Sequence, residues 1–266
     1  MLAAPHAAAA TPTDDAPPFT IDTPWTIRIE PVLWYPGLRG DISFPGGGTS
    51  ADNTFEVDEI DLDENEVTPA FRAEVRWDAW SLRFGGFVFN ADDTGRATKA
   101  VEAGGLAIPR NAAVNYDLTY TSFETALGYR VLNRSLGDDP DDTTFHFDVY
   151  GGLRYYGIDL DLDTAAGTAS GDGDWVEPIA GVRFELLFSR ALSMELNSDF
   201  GLWDAGDNES SSWNIEVGFR WAMHDNVDVR LGFRHLSVDL TDGSGSDAFI
   251  FDNSLAGLTL SVGIRF

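Results

Sequence analysis

Residues 254–266 read SLAGLTLSVGIRF, and this stretch decides the fold. Ala256, Leu258, Leu260, Val262, Ile264 and Phe266 share one parity, while Gly257, Thr259, Ser261, Gly263 and Arg265 share the other. Side chains alternate faces along a strand, so the segment is a strand with one wholly apolar face and one small or polar face. It closes on an aromatic residue with no polar tail behind it.

The same period of two recurs through the chain, and no segment sustains a period of 3.6. Ten strands are predicted, at residues 25–40, 67–77, 80–90, 115–132, 144–160, 175–188, 192–203, 212–223, 227–240 and 254–266. Short links alternate with long ones. The short links are 78–79, 189–191 and 224–226, with 133–143 intermediate; the long ones are 41–66, 91–114, 161–174, 204–211 and 241–253. That alternation is the mark of an up-and-down antiparallel β-barrel of outer-membrane type, with brief periplasmic turns and extended external loops. The expected fold is therefore all-β, a transmembrane barrel over 25–266 with about ten strands, or eight plus a capping hairpin. The apolar parity faces lipid and the polar parity faces the lumen.

Composition agrees. No run approaches the roughly 18 apolar residues that a transmembrane helix needs. There is no cysteine, so no disulfide or thiolate metal site. The 8 Trp and 18 Phe would furnish interfacial aromatic girdles. A net charge of −27 argues against nucleic acid as a partner. Residues 1–24 stand apart as an Ala- and Pro-rich leader, read as the remnant of a signal peptide or as a disordered tail.

The polar parity collects Arg28, Glu30, Arg72, Glu74, Arg76, Arg83, Glu124, Arg130, Asp148, Arg154, Arg183, Glu185, Glu195, Glu216, Arg220, Asp228, Arg230, Arg234 and Arg265. An arginine facing lipid near the midplane would cost about 2–4 kcal/mol, so this face lines the lumen. Ten strands enclose little more than the width that side chains fill. The expectation is a salt-bridged plug, since buried charges must be paired; the alternative is a narrow charged pathway for small solutes. The surplus acids fall at the ends: Glu56, Asp58, Glu59, Asp61, Asp63, Glu64 and Glu66 in the first long loop, and Asp159, Asp161, Asp163, Asp172 and Asp174 around the third. Neither loop has the spacing of a calcium-binding loop, so they are read as solvated and mutually repelling.

Catalytic signals are sparse. His146 and Asp148 share the lumen face and are expected to pair. His235 and Ser237 share the outward face, and a serine next to a histidine is a nucleophile type. The pair resembles the His-x-Ser of the outer-membrane lipid A deacylases, but the orienting acid of that family is missing. The acid pairs and Asp-His of the omptin proteases find no equivalent either. No phosphate loop or metal-ligand spacing is present, and no cofactor is expected.

Three segments, VYGGLRYYGIDLDLD (149–163), GDWVEPIAGVRF (173–184) and WNIEVGFRWAMHDNVDVRLGFRHLSVDL (213–240), resemble an uncharacterised group of proteobacterial-type outer-membrane barrel proteins, together with the closing GIRF. The hairpin FRAEVRWDAWSLRFGGFVFN matches it more loosely. The resemblance implies a barrel in the bacterial outer membrane and no particular activity. The expected partners are outer-membrane lipid with lipopolysaccharide, and the barrel-assembly machinery through the strand ending at Phe266. The function expected is a non-enzymatic envelope or surface-interaction role.

Overall fold

The computed structural model describes residues 25–46, 53–137 and 143–266. The leader at 1–24 lies outside the described residues. Ten long strands form one antiparallel sheet: β1 (Trp25–Ser43), β3 (Thr68–Trp77), β4 (Trp80–Arg96), β7 (Ala113–Ser135), β8 (Thr144–Thr164), β9 (Gly167–Leu187), β10 (Leu192–Ala205), β11 (Asn208–His224), β12 (Val227–Asp242) and β13 (Phe249–Arg265). Each pairs with its neighbour in sequence, and β1 pairs with β13, so the barrel closes. Closure leaves no barrel strand with an unpaired edge, as the hydrocarbon core of a bilayer demands. The strand count is ten, and the eight-stranded alternative is set aside.

Three short strands lie in the long loops. β2 (Thr54–Glu56) extends the sheet beside β1, and β5 (Val101–Ala103) pairs with β6 (Leu106–Ile108). The first barrel strand begins and the last one ends at the short-turn end, which is the periplasmic end of barrels of this type.

The strands run further outward than their sequence pattern suggests, and this corrects three of the predicted long loops. β8 and β9 stay paired up to Thr164 and Gly167, leaving only residues 165–166 as a turn. β10 and β11 pair up to Ala205 and Asn208. Between β12 and β13 only residues 243–248 remain unpaired in the barrel sheet. Asp159, Asp161, Asp163, Asp172 and Asp174 are thus strand residues rather than loop residues, and all five face outward and are exposed.

The two faces exchange character partway along the barrel. On β8 the outward residues begin as Phe145, Phe147, Val149 and Leu153, then become Asp159, Asp161 and Asp163. The inward residues of the same strand begin as His146, Asp148 and Arg154, then become Tyr156, Ile158, Leu160 and Leu162. β12 does the same: outside, Leu231 and Phe233 give way to Ser237 and Asp239; inside, Asp228 and Arg230 give way to Leu236, Val238 and Leu240. The apolar exterior of β8 covers about ten residues, the length a tilted strand needs to cross the hydrocarbon. Below the switch the barrel faces lipid with a polar interior. Above it, water is outside and apolar side chains retreat inward, as in a water-soluble barrel.

The upper interior is filled. Trp34, Leu38, Ile42, Phe89, Tyr120, Tyr156, Leu160, Trp175, Leu240 and Phe251 from the wall pack with Phe44, Phe55, Ile60 and Leu62 from the first loop and Ala97, Val101, Ala103 and Ile108 from the second. The acidic cluster of the first loop is read from the sequence as solvated; the loop's apolar residues fold into the mouth, where a collapsed apolar core is available. Glu59 is buried and ion-paired with Lys99, its backbone carbonyl accepts from Thr98 N, and Asn53 Oδ1 accepts from Gly104 N at 2.9 Å. Gly95 permits this docking: a Cβ there would lie 1.9 Å from the Ile60 carbonyl oxygen.

Candidate functional site

All the lumen residues read from the sequence lie on the inward face, and most of them join one network. Its centre is Arg183, which reaches Glu74 at 2.9 Å and Glu195 at 3.0 Å. Arg220 holds Glu195 at 2.7 Å and Glu185 at 2.9 Å. Arg230 spans Glu195 at 3.5 Å and Glu216 at 3.3 Å, and Arg72 meets Glu216 at 3.0 Å. Arg28 links Glu30 and Asp228. Nearer the periplasm, Asp148 takes Arg130 at 2.8 Å and Arg76 at 3.0 Å. Nearer the outside, Arg154 clasps Glu124 at 2.6 Å and Asp199 at 2.8 Å. Arg265 lines the periplasmic mouth.

These pairs form because inward residues on a closed sheet sit opposite one another across neighbouring strands. Asp148 stands against Arg130, Glu124 against Arg154, and Glu30 against Arg72. Longer reaches, such as Arg183 to Glu74, cross the lumen itself, since β9 and β3 are not neighbours. Arginine suits this role because its fork serves two carboxylates at once and keeps its charge when desolvated.

The lumen residues read from the sequence omit Glu177 and Asp199. Glu177 accepts hydrogen bonds from Tyr156 Oη at 3.1 Å and from the Ser212 hydroxyl. Asp199 accepts from Tyr150 Oη at 3.1 Å and Asn214 Nδ2 at 2.8 Å. The signal was present: Glu177 has the parity of Arg183, and Asp199 that of Glu195. With both included, eleven arginines face ten carboxylates on the inward wall among the described residues. The lumen is close to neutral, so the chain's net charge of −27 is carried outside it.

Little open volume remains. One cavity of about 50 Å³ lies where the charged layer meets the apolar layer, lined by Trp34, Phe87, Arg72, Arg83, Tyr150, Asn197, Asn214 and Arg234 among others. A second of about 50 Å³ lies among Arg28, Glu30, Glu74, Arg183 and Glu195, and shares Arg72, Arg83 and Glu124 with the first. Each holds at most a few water molecules. The periplasmic mouth opens into a wider vestibule of about 650 Å³, lined by Arg220, His224 and Arg265.

The histidines fall as follows. His146 pairs with Glu185 at 3.1 Å rather than with Asp148, whose oxygens are taken by Arg76 and Arg130. His235 and Ser237 share the outward face, His235 lying 6.0 Å from the Trp213 ring, and no hydrogen bond joins the two among the described residues. No group of three or more His, Asp or Glu residues with metal-holding geometry occurs among the described residues.

Outside, above the lipid belt, carboxylates stand in rows across the sheet. Asp92, Asp117 and Asp161 are directly opposite one another on β4, β7 and β8. Asp239, Asp252, Asp41 and Glu56 form a second row on β12, β13, β1 and β2. Partial desolvation and the neighbouring Asp159, Asp117, Asp163 and Asp172 push the Asp161 carboxyl above the usual aspartate range. Burial, with Asp239 and Asp41, does the same for Asp252.

No family model matches the chain, and no curated protein matches it. Among solved structures it is similar to the outer-membrane protease OmpT of Escherichia coli, with a TM-score of 0.43 and 10% identity over 95% of this chain and 99% of that one. It is also similar to Neisserial surface protein A (TM-score 0.32, 11% identity, 92% and 98% covered). A third is Ail, the attachment invasion locus protein of Yersinia pestis (TM-score 0.34, 10% identity, 90% and 99% covered). At these values the likeness adds nothing to the fold, which rests on the closed ten-strand sheet itself.

Proposed function

We propose that this integral outer-membrane barrel is a closed, non-enzymatic envelope protein that conducts no solute and works through its outer surface. The observation that carries the reading is the double occlusion of the lumen: an ion-paired layer at membrane level, and above it an apolar core completed by both long loops. A solute pathway would need a continuous open bore, and the two interior cavities hold only a few waters each. The apolar belt makes lipid, including lipopolysaccharide, the immediate partner, and the strand ending at Phe266 is the contact offered to the barrel-assembly machinery. The outward aspartate rows are the face available to surface components, and they favour cationic ones.

Deleting the gene tests this reading. Cells should become more sensitive to detergent, with small-solute uptake and lipid A acylation unchanged. Impaired uptake with an intact barrier would replace the proposal with a channel. Altered acylation, restored by the wild type but not by His235→Ala, would replace it with an enzyme.

A further inference from the structure

Two inward arginines stand apart from the ion-pair network. Among the described residues, neither Arg83 nor Arg234 forms an ion pair with a carboxylate, although both line the cavity between the charged and apolar layers. Arg83 Nη2 donates to Asn197 Oδ1 at 3.1 Å, and its guanidinium lies 4.6 Å from the centre of the Tyr150 ring. Arg234 Nε donates to Asn214 Oδ1 at 2.9 Å and lies 4.9 Å from Trp34 and 5.4 Å from Phe87. The two amides are locked in this sense. Asn197 Nδ2 donates to Glu195 at 2.6 Å and Asn214 Nδ2 to Asp199 at 2.8 Å, so only their oxygens are left for the arginines.

The carboxylates in the cavity wall are already engaged. Glu124 and Asp199 are held by Arg154, and Glu216 by Arg72 and Arg230. Arg72 Nη1 and Thr259 Oγ1 border the same cavity, buried and without a hydrogen-bond partner, whereas the acceptors Asp199 Oδ1 and Glu216 Oε1, also without a hydrogen bond, are each within ion-pair distance of an arginine. A guanidinium carries five N–H donors, so one amide oxygen and an aromatic face leave most of them unused. Cation–π contact stabilises such a charge but does not neutralise it. The carboxylates nearest in charge to them, Glu74 and Glu124, are already shared with Arg76, Arg183 and Arg154. The inward wall carries one more arginine than carboxylates, so an anion between the two guanidinium groups offsets the remaining charge.

We propose that this cavity is a binding site for one small monovalent anion of halide size, held by Arg83 and Arg234 with Arg72 and Thr259 completing its shell. The volume of about 50 Å³ sets the size class, since it accommodates a halide and about one water. The anion is a structural counter-ion, and the inference stands whether or not the barrel conducts.

Bromide reports the site directly. Crystals of the full chain, purified in detergent and soaked in sodium bromide, should show an anomalous peak at the bromine edge within hydrogen-bonding distance of both guanidinium groups. An empty cavity, or one holding density without an anomalous signal, would overturn the proposal. In solution, the urea midpoint of the wild type should rise by roughly 0.5 M in sodium chloride relative to sodium gluconate at equal ionic strength. Arg234→Gln, shown to be folded by its faster migration in unheated detergent gels, should lose that rise. An equal rise in the variant would assign the effect to salt in general and overturn the site. Should Arg234→Gln fail to fold, the bromide map of the wild type decides alone.

Discussion

Arg154 and Glu124 face each other on β8 and β7, and the arginine donates to one carboxylate oxygen through Nε at 2.9 Å and Nη2 at 2.6 Å. Arg154 is wholly buried and also holds Asp199. Arg154→Met therefore strips two inward carboxylates of their partner. The expected loss is about 3–5 kcal/mol of folding stability, because breaking a buried pair leaves uncompensated charge behind. Urea unfolding from detergent or vesicles, followed by tryptophan fluorescence, measures it. Replacing Arg154 and Glu124 together by Met and Gln should recover part of the loss, and an additive double variant would contradict the coupling.

The exchange of polarity along β12 predicts opposite outcomes for one substitution at two outward positions. Leu231 lies in the lipid belt, and Leu231→Arg should cost about 2–4 kcal/mol if it sits near the midplane. Asp239 lies above the belt, opposite Asp252, and Asp239→Arg should be neutral or stabilising because it breaks a row of like charges. Equal costs at the two sites, measured by the same unfolding assay, would contradict the placement of the membrane boundary.

The outward aspartates predict a pH response. Asp161 stands directly opposite Asp117, and its pKa is raised in the folded state by partial desolvation and by its acidic neighbours. A carboxyl with a raised folded pKa makes the folded state bind more protons than the unfolded one. Its penalty is thus present above the raised value and lost as pH falls through it toward the ordinary aspartate value. Hydrogen exchange in the outer ends of β8 and β9, corrected for intrinsic rates, should slow on mild acidification. Asp161→Asn should give the same protection at neutral pH, with a gain of about 0.2–1 kcal/mol.

Gly95 tests the docking of the loops. A Cβ at this position meets the Ile60 carbonyl, so Gly95→Ala should push the first loop off the outer end of β4, from which the second loop leaves, and cost about 1–3 kcal/mol. Limited proteolysis should then cut within residues 97–112, while the membrane-level barrel stays intact. Unchanged protection would mean that the loops are held by contacts other than this one.

The membrane half of the molecule was legible in the sequence because a single rule governs it: one parity for lipid, the other for the lumen. Arg183, Glu185, Glu195 and Arg220 share the polar parity of their strands, and ion pairs join them in the interior. The outer half follows the inverse rule, and the inversion is written in β8 itself. Apolar residues occupy odd positions from Phe145 to Leu153 and even positions from Tyr156 to Leu162. Read with one fixed rule, Asp161 and Asp163 have no place in a lipid-facing strand and fall in the predicted link 161–174. Pairings across the lumen, such as Arg183 with Glu74 or Arg72 with Glu216, are not legible in the sequence. They depend on barrel diameter and strand stagger, which local alternation does not encode.

The central claim is that the lumen is closed, and single-channel recording of the purified full chain in planar bilayers tests it most directly. The barrel should insert and remain silent across the voltage range, with insertion confirmed independently by protease protection of the reconstituted protein. Steady, reproducible openings from the inserted barrel would contradict the ion-paired layer, the apolar mouth, or both.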